Sequence, residues 1–271
     1  MKVLLFADIF AKPGRRAVAC AINDLIAEYD PDFVLGNVEN LAGGRGINRK
    51  SIQEMFNLGF HGFSSGNHIW DNKEGHEIVN TDQRIVRPAN YPNHPDFPCP
   101  GRGWTILDNR GKRLALVNLM GRVFMDTIDC PFAKADEILK QCPAGVPILV
   151  DMHADATSEK YAMGWHLNGR VSAVVGSHSH VQTADERILP GGTAYITDVG
   201  MTGAFDSVIG LSPEGAIKRF QIRRPVRVEL ATENLGVSCV VIDIGPDCKA
   251  KSIQRLRFQV DTRERFIGDL E

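Results

Sequence analysis

The chain has 271 residues, 43% of them hydrophobic and 24% charged, with a net charge of −2. Those are the proportions of an ordinary soluble globular protein, and near-neutrality gives no reason to expect binding to bulk nucleic acid or to an acidic membrane surface. No apolar stretch approaches the roughly 18 to 20 residues of a membrane span, and Met1 leads directly into an apolar run with no signal-peptide layout, which points to the cytoplasm.

Taken in order, the first apolar run is Val3-Leu4-Leu5-Phe6-Ala7, ending in Asp8. A loop is expected over 9–14, then an amphipathic helix with Val18, Ile22, Leu25 and Ile26 on its apolar stripe, stopping near Asp30-Pro31. A second run, 33–38, ends in Glu39-Asn40. A glycine-rich loop, Ala42-Gly43-Gly44-Arg45-Gly46, leads to a helix over about 49–58. A third run ends at Asn67-His68. This β-α-β-α-β order predicts a mostly parallel sheet with covering helices.

Residues 88–103 are rich in Pro, Asn and Gly and form an expected surface loop. The runs 104–107 and 114–118 flank Asn109-Arg110-Gly111-Lys112, a hairpin signal. A helix over 131–141 precedes the run 147–152, which ends in His153. A second helix, 158–167, precedes the run 171–177, which ends in His178-Ser179-His180. Another strand is expected at 194–198, and β-rich alternation over about 217–260. The pattern predicts two sheets, one begun in the N-terminal half and one finished at the C-terminus. No linker divides them, so residues 1–271 are expected to form one domain. The six cysteines, Cys20, Cys99, Cys130, Cys142, Cys239 and Cys248, are scattered without a C-x-x-C pair. They are expected to be reduced thiols with no chemistry.

Short apolar runs of this kind are expected to be buried strands, and open α/β sheets bind ligands at the carboxyl ends of their strands. Five such ends carry Asp8, Glu39-Asn40, Asn67-His68, His153 and His178-Ser179-His180. Each is ambiguous alone: Asp8 could cap the following helix, and His153 could be a hydrogen-bonded core histidine. The H-x-H is stronger, because residues two apart on an extended segment project to one side. Together these residues are the ligand set of a two-metal hydrolytic site.

In order and spacing the set resembles the calcineurin-like metallophosphoesterases, which carry D-x-H, G-D, G-N-H, a lone His and G-H-x-H. The chain shows Asp8-Ile9-Phe10, Glu39-Asn40, Gly66-Asn67-His68, His153 and Ser177-His178-Ser179-His180. Phe10 stands where that pattern has a histidine, and Glu39 where it has an aspartate. These departures, with DIFAKPGR at 8–15 and GNHIWD at 66–71, resemble the YmdB-like branch over the whole chain. The resemblance implies a four-layer α/β sandwich, two mixed β-sheets flanked by helices. It implies one metal held by Asp8, Glu39, Asn40 and His180, and a second by Glu39, Asn67, His153 and His178, with Glu39 bridging. Asn40 would fill the vacancy left by Phe10. Oxygen and nitrogen donors without thiolate suit two divalent ions, with iron or manganese favoured and zinc possible. A homo-oligomer is a further implication.

The implied chemistry is hydrolysis of a small phosphodiester, with a cyclic nucleotide such as 2′,3′-cyclic AMP as the candidate substrate. A metal-bridging hydroxide would attack phosphorus in line. His68, not needed as a ligand, is the general-acid candidate, with Asp71 to orient it. No Arg or Lys falls inside the motifs, which argues against a monoester. Two rivals remain. An amidohydrolase barrel would place H-x-H at its first strand; a regulatory binding protein would keep the metal site with little turnover. Gly43-Gly44-Arg45-Gly46 is expected to be a tight turn, Trp70 and Trp165 packing residues, and His61, His76, His94 and His166 structural. Lys218 to Arg227 is expected to be the solvated face of a strand pair, and Gly191-Gly192 and 200–203 to flank the cleft.

Overall fold

A computed structural model describes residues 1–261. Its elements are, in order, β1 (Lys2–Phe6), β2 (Asp8–Ile9), α1 (Ala11–Tyr29), β3 (Phe33–Asn37), α2 (Arg49–Asn57), β4 (Gly62–Ser64), a 3-10 turn (Asn67–Trp70) and α3 (Lys73–Thr81). Then come β5 (Trp104–Asn109), β6 (Lys112–Met120), α4 (Pro131–Leu139), β7 (Ile148–His153), α5 (Thr157–Leu167), β8 (Ala173–Ser177), β9 (Arg187–Ile188) and β10 (Ala194–Ile196). Last are β11 (Met201–Ala204), α6 (Pro213–Ile222), β12 (Leu235–Ile244) and β13 (Ala250–Gln259).

Local sequence explains most boundaries. The side chain of Asn48 accepts from the Ser51 backbone N–H and Ser51 answers it, a reciprocal cap that starts α2. Ser212 caps α6 and Pro213 opens it; Pro131 opens α4. Asp30, in the left-handed region, ends α1. Arg110 and Gly111, both at positive φ, make the two-residue turn between β5 and β6.

The strands form two sheets. One runs β2-β11-β12-β1-β3-β4, with β13 also paired to β12; the other runs β5-β6-β7-β8-β10-β9. In the second, β6, β7, β8 and β10 are parallel, and β5 and β9 are antiparallel edges. Strand alternation assigns each side chain to a layer. In β1, Leu4 and Phe6 pack under α1, whereas Val3, Leu5 and Ala7 face the second sheet. In β6, Leu114 and Leu116 face the first sheet, whereas Ala115, Val117 and Leu119 pack beneath α4 and α5. The result is the expected four-layer sandwich, helix–sheet–sheet–helix. Two open sheets exclude the amidohydrolase barrel.

Four local expectations need correction. Residues 9–14 are not a loop: Ile9 pairs with Thr202 in β11, and α1 begins at Ala11. The two sheets do not divide the chain into an early and a late half. β1 pairs with β12 and with β3, so both ends of the described chain lie in one sheet and the middle builds the other. Residues 217–222 belong to α6, so the basic stretch beginning at Lys218 is the outer face of a helix and the segment after it, not a strand pair. Ile217 and Phe220 are three residues apart, a helical spacing, and Ser212 and Pro213 mark the helix start. The third run also stops earlier, at Ser64, and Asn67 opens the 3-10 turn. None of the six cysteines is in a disulfide. No helix among the described residues is long and apolar enough to cross a membrane.

Candidate metal centre

The carboxyl ends of β1, β3 and β4 in one sheet and of β7 and β8 in the other open on the same end of the sandwich. Parallel β1-β3-β4 and β7-β8 pairing aligns those ends. Asp8, Glu39, Asn40 and Asn67 come from the first sheet, His153, His178 and His180 from the second.

The donor atoms gather in two groups. His153 Nε2 lies 3.1 Å from Glu39 Oε2, 3.0 Å from Asn67 Oδ1 and 3.1 Å from His178 Nδ1. His180 Nε2 lies 3.1 Å from Asn40 Oδ1 and 3.5 Å from Asp8 Oδ2. An imidazole nitrogen carries at most one proton, yet three lone-pair atoms surround His153 Nε2. Asp8 Oδ1 is buried and has no hydrogen-bond partner among the described residues. Lone pairs converging in a buried site, in excess of the protons available to them, mark a cation position. The residues present therefore fit the divalent ions that the fold implies, and Glu39, His153 and His178 alone offer three ligand atoms within 4.8 Å of one another.

Charge supports the fit. Asp8, Glu39, Asp151 and Asp198 are each at most 1% exposed, and one buried lysine, Lys160, accompanies them. Burial pushes the Asp8 carboxyl up, with Glu39, Asp198 and Asp151 adding repulsion that His153 only partly offsets. Burial alone would push His153 down, but the Glu39 carboxylate, with Asp8 and Asp151, lifts it to about 9. Burial opposes ionisation of Glu39 too, and there the neighbouring His153 and His68 win, holding it down at about 2. His178, partly buried and facing His153, falls to about 3, and burial lowers His180. In effect the His153 proton occupies the place of a cation.

Buried partners aim these donors. Ser177 Oγ donates to Asp151 Oδ1 at 2.6 Å and so accepts from His153 Nδ1 at 2.9 Å, which leaves Nε2 a lone pair directed into the site. Asn37 Nδ2 and Ser64 Oγ donate to the other oxygen of Asp151. Asn40 Nδ2 donates to Gly44 O at 2.9 Å, turning Oδ1 toward His180. Phe10, at the position of the missing histidine, packs its ring against His180 edge-on, with centroids 5.5 Å apart. Gly66 is demanded by crowding. A Cβ there would stand 2.2 Å from His153 Nε2 and 2.3 Å from Glu39 Oε2.

His68 lies at the edge of this group. Its backbone N–H donates to Glu39 Oε2 at 3.1 Å, and its Nδ1 sits 2.9 Å from Asp71 Oδ2. Arg45 Nη1 is 3.6 Å from the same carboxylate oxygen. A cleft of about 390 Å³ opens over Glu39, Asn40, His68, His178 and His180 and continues to an apolar wall that includes Phe10 and Leu230. Arg45 and Arg219 also line it, so the rim is cationic even though the motifs contain no arginine.

All eight sequence-predicted site residues thus meet at one place, with Asp71 beside them. The other histidines do not: His61 Nδ1 accepts from Val34 N, His76 packs on Trp70, His166 pairs with Asp136, and His94 stacks near Phe97. Trp70 packs on Tyr91, while Trp165 is exposed beneath Arg187. Gly192 precedes β10, at the far end from the site, where a Cβ would meet the Lys249 side chain; a Cβ at Gly203 would meet Phe10, and Gly203 does lie near the site. Sequence reasoning missed Asp151, Ser177, Asn37, Lys160, Asp198 and Arg219. Asp151 carried a signal, a lone carboxylate inside an apolar run destined for burial. Arg219 carried none.

A sandwich of two mixed sheets with carboxylate, amide and imidazole donors at this end is the architecture of the calcineurin-like metallophosphoesterases. A family model described as YmdB-like protein matches residues 4–256. The 2′,3′-cyclic-nucleotide 2′-phosphodiesterase of Bacillus subtilis (strain 168) is 44% identical over 263 residues, covering 96% of this chain and 98% of that protein. A hypothetical protein from Thermus thermophilus superposes with a TM-score of 0.89 at 38% identity, over 96% of this chain and 100% of its own. A phosphatase from Mycoplasma pneumoniae gives 0.90 at 29% identity, over 96% and 94%. The chain belongs to the YmdB-like family of metallophosphoesterases.

Proposed function

We propose that the chain is a dinuclear metal-dependent phosphodiesterase that opens cyclic nucleotides such as 2′,3′-cyclic AMP. The observation that carries this reading is the convergence of lone-pair atoms on His153 Nε2, at 3.0 to 3.1 Å, beside a second group around His180 Nε2. The substrate class is supported by the Bacillus subtilis relative, whose name specifies 2′,3′-cyclic nucleotides.

Asp8, Glu39, Asn40 and His180 would hold one ion, and Glu39, Asn67, His153 and His178 the other, with Glu39 shared. A shared anion reduces the repulsion between two neighbouring dications. The oxygen and imidazole set favours iron or manganese and tolerates zinc. When bound, the ions supply an acidified water and neutralise charge on the phosphate. The remaining work belongs to the chain. Asp151 and Ser177 keep the His153 tautomer ligating. His68, held through Nδ1 by Asp71, protonates the departing ribose oxygen from its other nitrogen. A sugar alkoxide is a poor leaving group, so this proton transfer is where His68 matters. The apolar wall beside Phe10 excludes water from one side of the cleft. The chain acts as a single domain: β1 and β12 pair across nearly its whole length, so neither part completes the first sheet alone.

The test is hydrolysis of 2′,3′-cyclic AMP and of a matched phosphomonoester by the Mn-loaded chain, with metal counted per chain. Two ions and preferential diester turnover are expected. Two ions with no turnover of either substrate would overturn the enzymatic reading.

A further inference from the structure

Lys160 lies in α5, outside every recognisable motif, and is 1% exposed. Its stem crosses the outer face of β8 at Gly176, where a Cβ would come within 2.9 Å of Lys160 Cδ and 1.8 Å of Thr197 O. The glycine is therefore the passage through which the lysine reaches the far strand. There Nζ binds Asp198 Oδ2 at 2.6 Å, and Asp198 is itself 1% exposed.

Asp198 in turn holds backbone. Its Oδ2 also accepts the Ser179 N–H at 3.0 Å, and its Oδ1 accepts the Gly200 N–H at 2.8 Å. Its main chain exchanges hydrogen bonds with Thr183 at 2.9 and 3.0 Å. Ser179 is the residue between the two ligand histidines. His178 and His180 both have positive φ, at 100° and 61°, a strained conformation that a non-glycine residue keeps only where its surroundings enforce it. The Asp8 contact to the His178 N–H, the Ile209 carbonyl on His180 Nδ1, the hydrogen bonds between Ser179 Oγ and Val181 and the Phe10 ring against His180 also restrain this turn.

We propose that Lys160 and Asp198 are positioning residues: a buried ion-pair strut that clamps the Ser179 amide and so holds the strained H-x-H turn with both imidazoles aimed at the metal centre. This rests on the metal-site reading above. Losing a buried group that orients ligands typically costs about 10- to 100-fold in metal affinity.

The sign of the effect discriminates. A lysine that acted only as a nearby positive charge would oppose a dication, so its removal would tighten metal binding. A strut predicts the opposite. The experiment compares wild type, Lys160→Met and the double variant Lys160→Met/Asp198→Asn, which removes both charges and so leaves no unpaired buried ion if the single variant unfolds. Folding is checked by circular dichroism, Mn2+ affinity is measured by calorimetry on the apo-protein, and exchange protection is followed at the Ser179 amide. The expected result in whichever variant is folded is an about 10- to 100-fold loss of affinity together with loss of Ser179 protection. A folded variant that binds Mn2+ as tightly as wild type, or more tightly, or that keeps Ser179 protected, overturns the strut alone. A wild-type chain that binds no Mn2+ overturns the metal-site reading and the strut with it.

Discussion

His68, which lines the cleft, and His153, buried behind it, are both imidazoles at one centre, and their surroundings differ. His68 keeps a nitrogen on the cleft side and has Asp71 behind it. In the role proposed for it, replacing His68 with alanine removes the general acid and no donor to a cation. For a nucleoside cyclic phosphate, kcat is expected to fall about 10²- to 10⁴-fold. With an ester whose leaving group is a nitrophenolate, which departs without a proton, the loss should nearly vanish, and metal content should match wild type. Equal losses on both esters would remove His68 from the acid role. His153 is raised to about 9, so in the apo-protein it is protonated at neutral pH. Ligation requires the neutral ring, and metal uptake must expel that proton. Glu39, held at about 2, and His178, at about 3, already carry their ligating charge state at neutral pH and release nothing. Calorimetry near neutral pH in buffers of differing ionisation enthalpy should therefore register proton release from His153, with Asp8, whose carboxyl burial pushes up, as a second source. The release should fade as pH rises past about 9, and a flat response across buffers would contradict the raised value.

At the scale of elements, the strands were legible because their ends were marked. An apolar run that stops at Asp, Asn or His announces both a buried strand and its carboxyl end, and this makes the donor set legible in the sequence alone. Three things were not legible. Residues 9–14 contain Pro and Gly, which signal a loop, yet Ile9 bonds to β11 and Pro13 sits harmlessly in the first turn of α1, where its missing N–H has no partner to lose. α6 is short, and its start, at Ser212 and Pro213, lies before the β-rich stretch expected over 217–260. The strut and the Asp151 network were hidden because long-range polar pairing leaves no periodic trace. Gly66 shows what the motif Gly66-Asn67-His68 encodes: room, then a ligand, then a backbone donor. Gly66→Ala should keep the secondary structure of wild type but push His153 or Glu39 aside, and metal per chain should drop below half. Full metal occupancy in that variant would mean that the crowding is relieved elsewhere.

For the whole molecule, the arrangement of sheets matters more than their count. The first sheet takes strands from both ends of the described chain, and the second is inserted as one continuous stretch, β5 to β10. The sequence pattern identified the strands but paired them by neighbourhood, and neighbourhood fails where β1 meets β12. Between the sheets lies an apolar seam of Val3, Leu5, Leu116, Leu149, Val240 and Ile242. At one end of the seam the donor residues of both sheets meet. Ions bound there interact with the folded state and not with a chain whose donors are scattered. At 100 times Kd, one such ion adds about 2.7 kcal/mol of stability. A chelator should lower the melting temperature of the metal-loaded protein, and readdition of Mn2+ should restore it. An unchanged melting curve would show that the two sheets are no better joined with metal than without.

The network around Asp151 has a consequence in time. Asn37 and Ser64 reach it from the first sheet, Ser177 from the second. An apolar seam tolerates sliding, because one aliphatic contact nearly replaces another. A carboxylate served by three directional donors does not. The expected last event in assembly is the locking of one sheet on the other, after each has formed its own ladders. A refolding chain should regain its far-ultraviolet circular dichroism first and its capacity for Mn2+ afterwards, and the interval between the two signals measures how long the sheets search for their register.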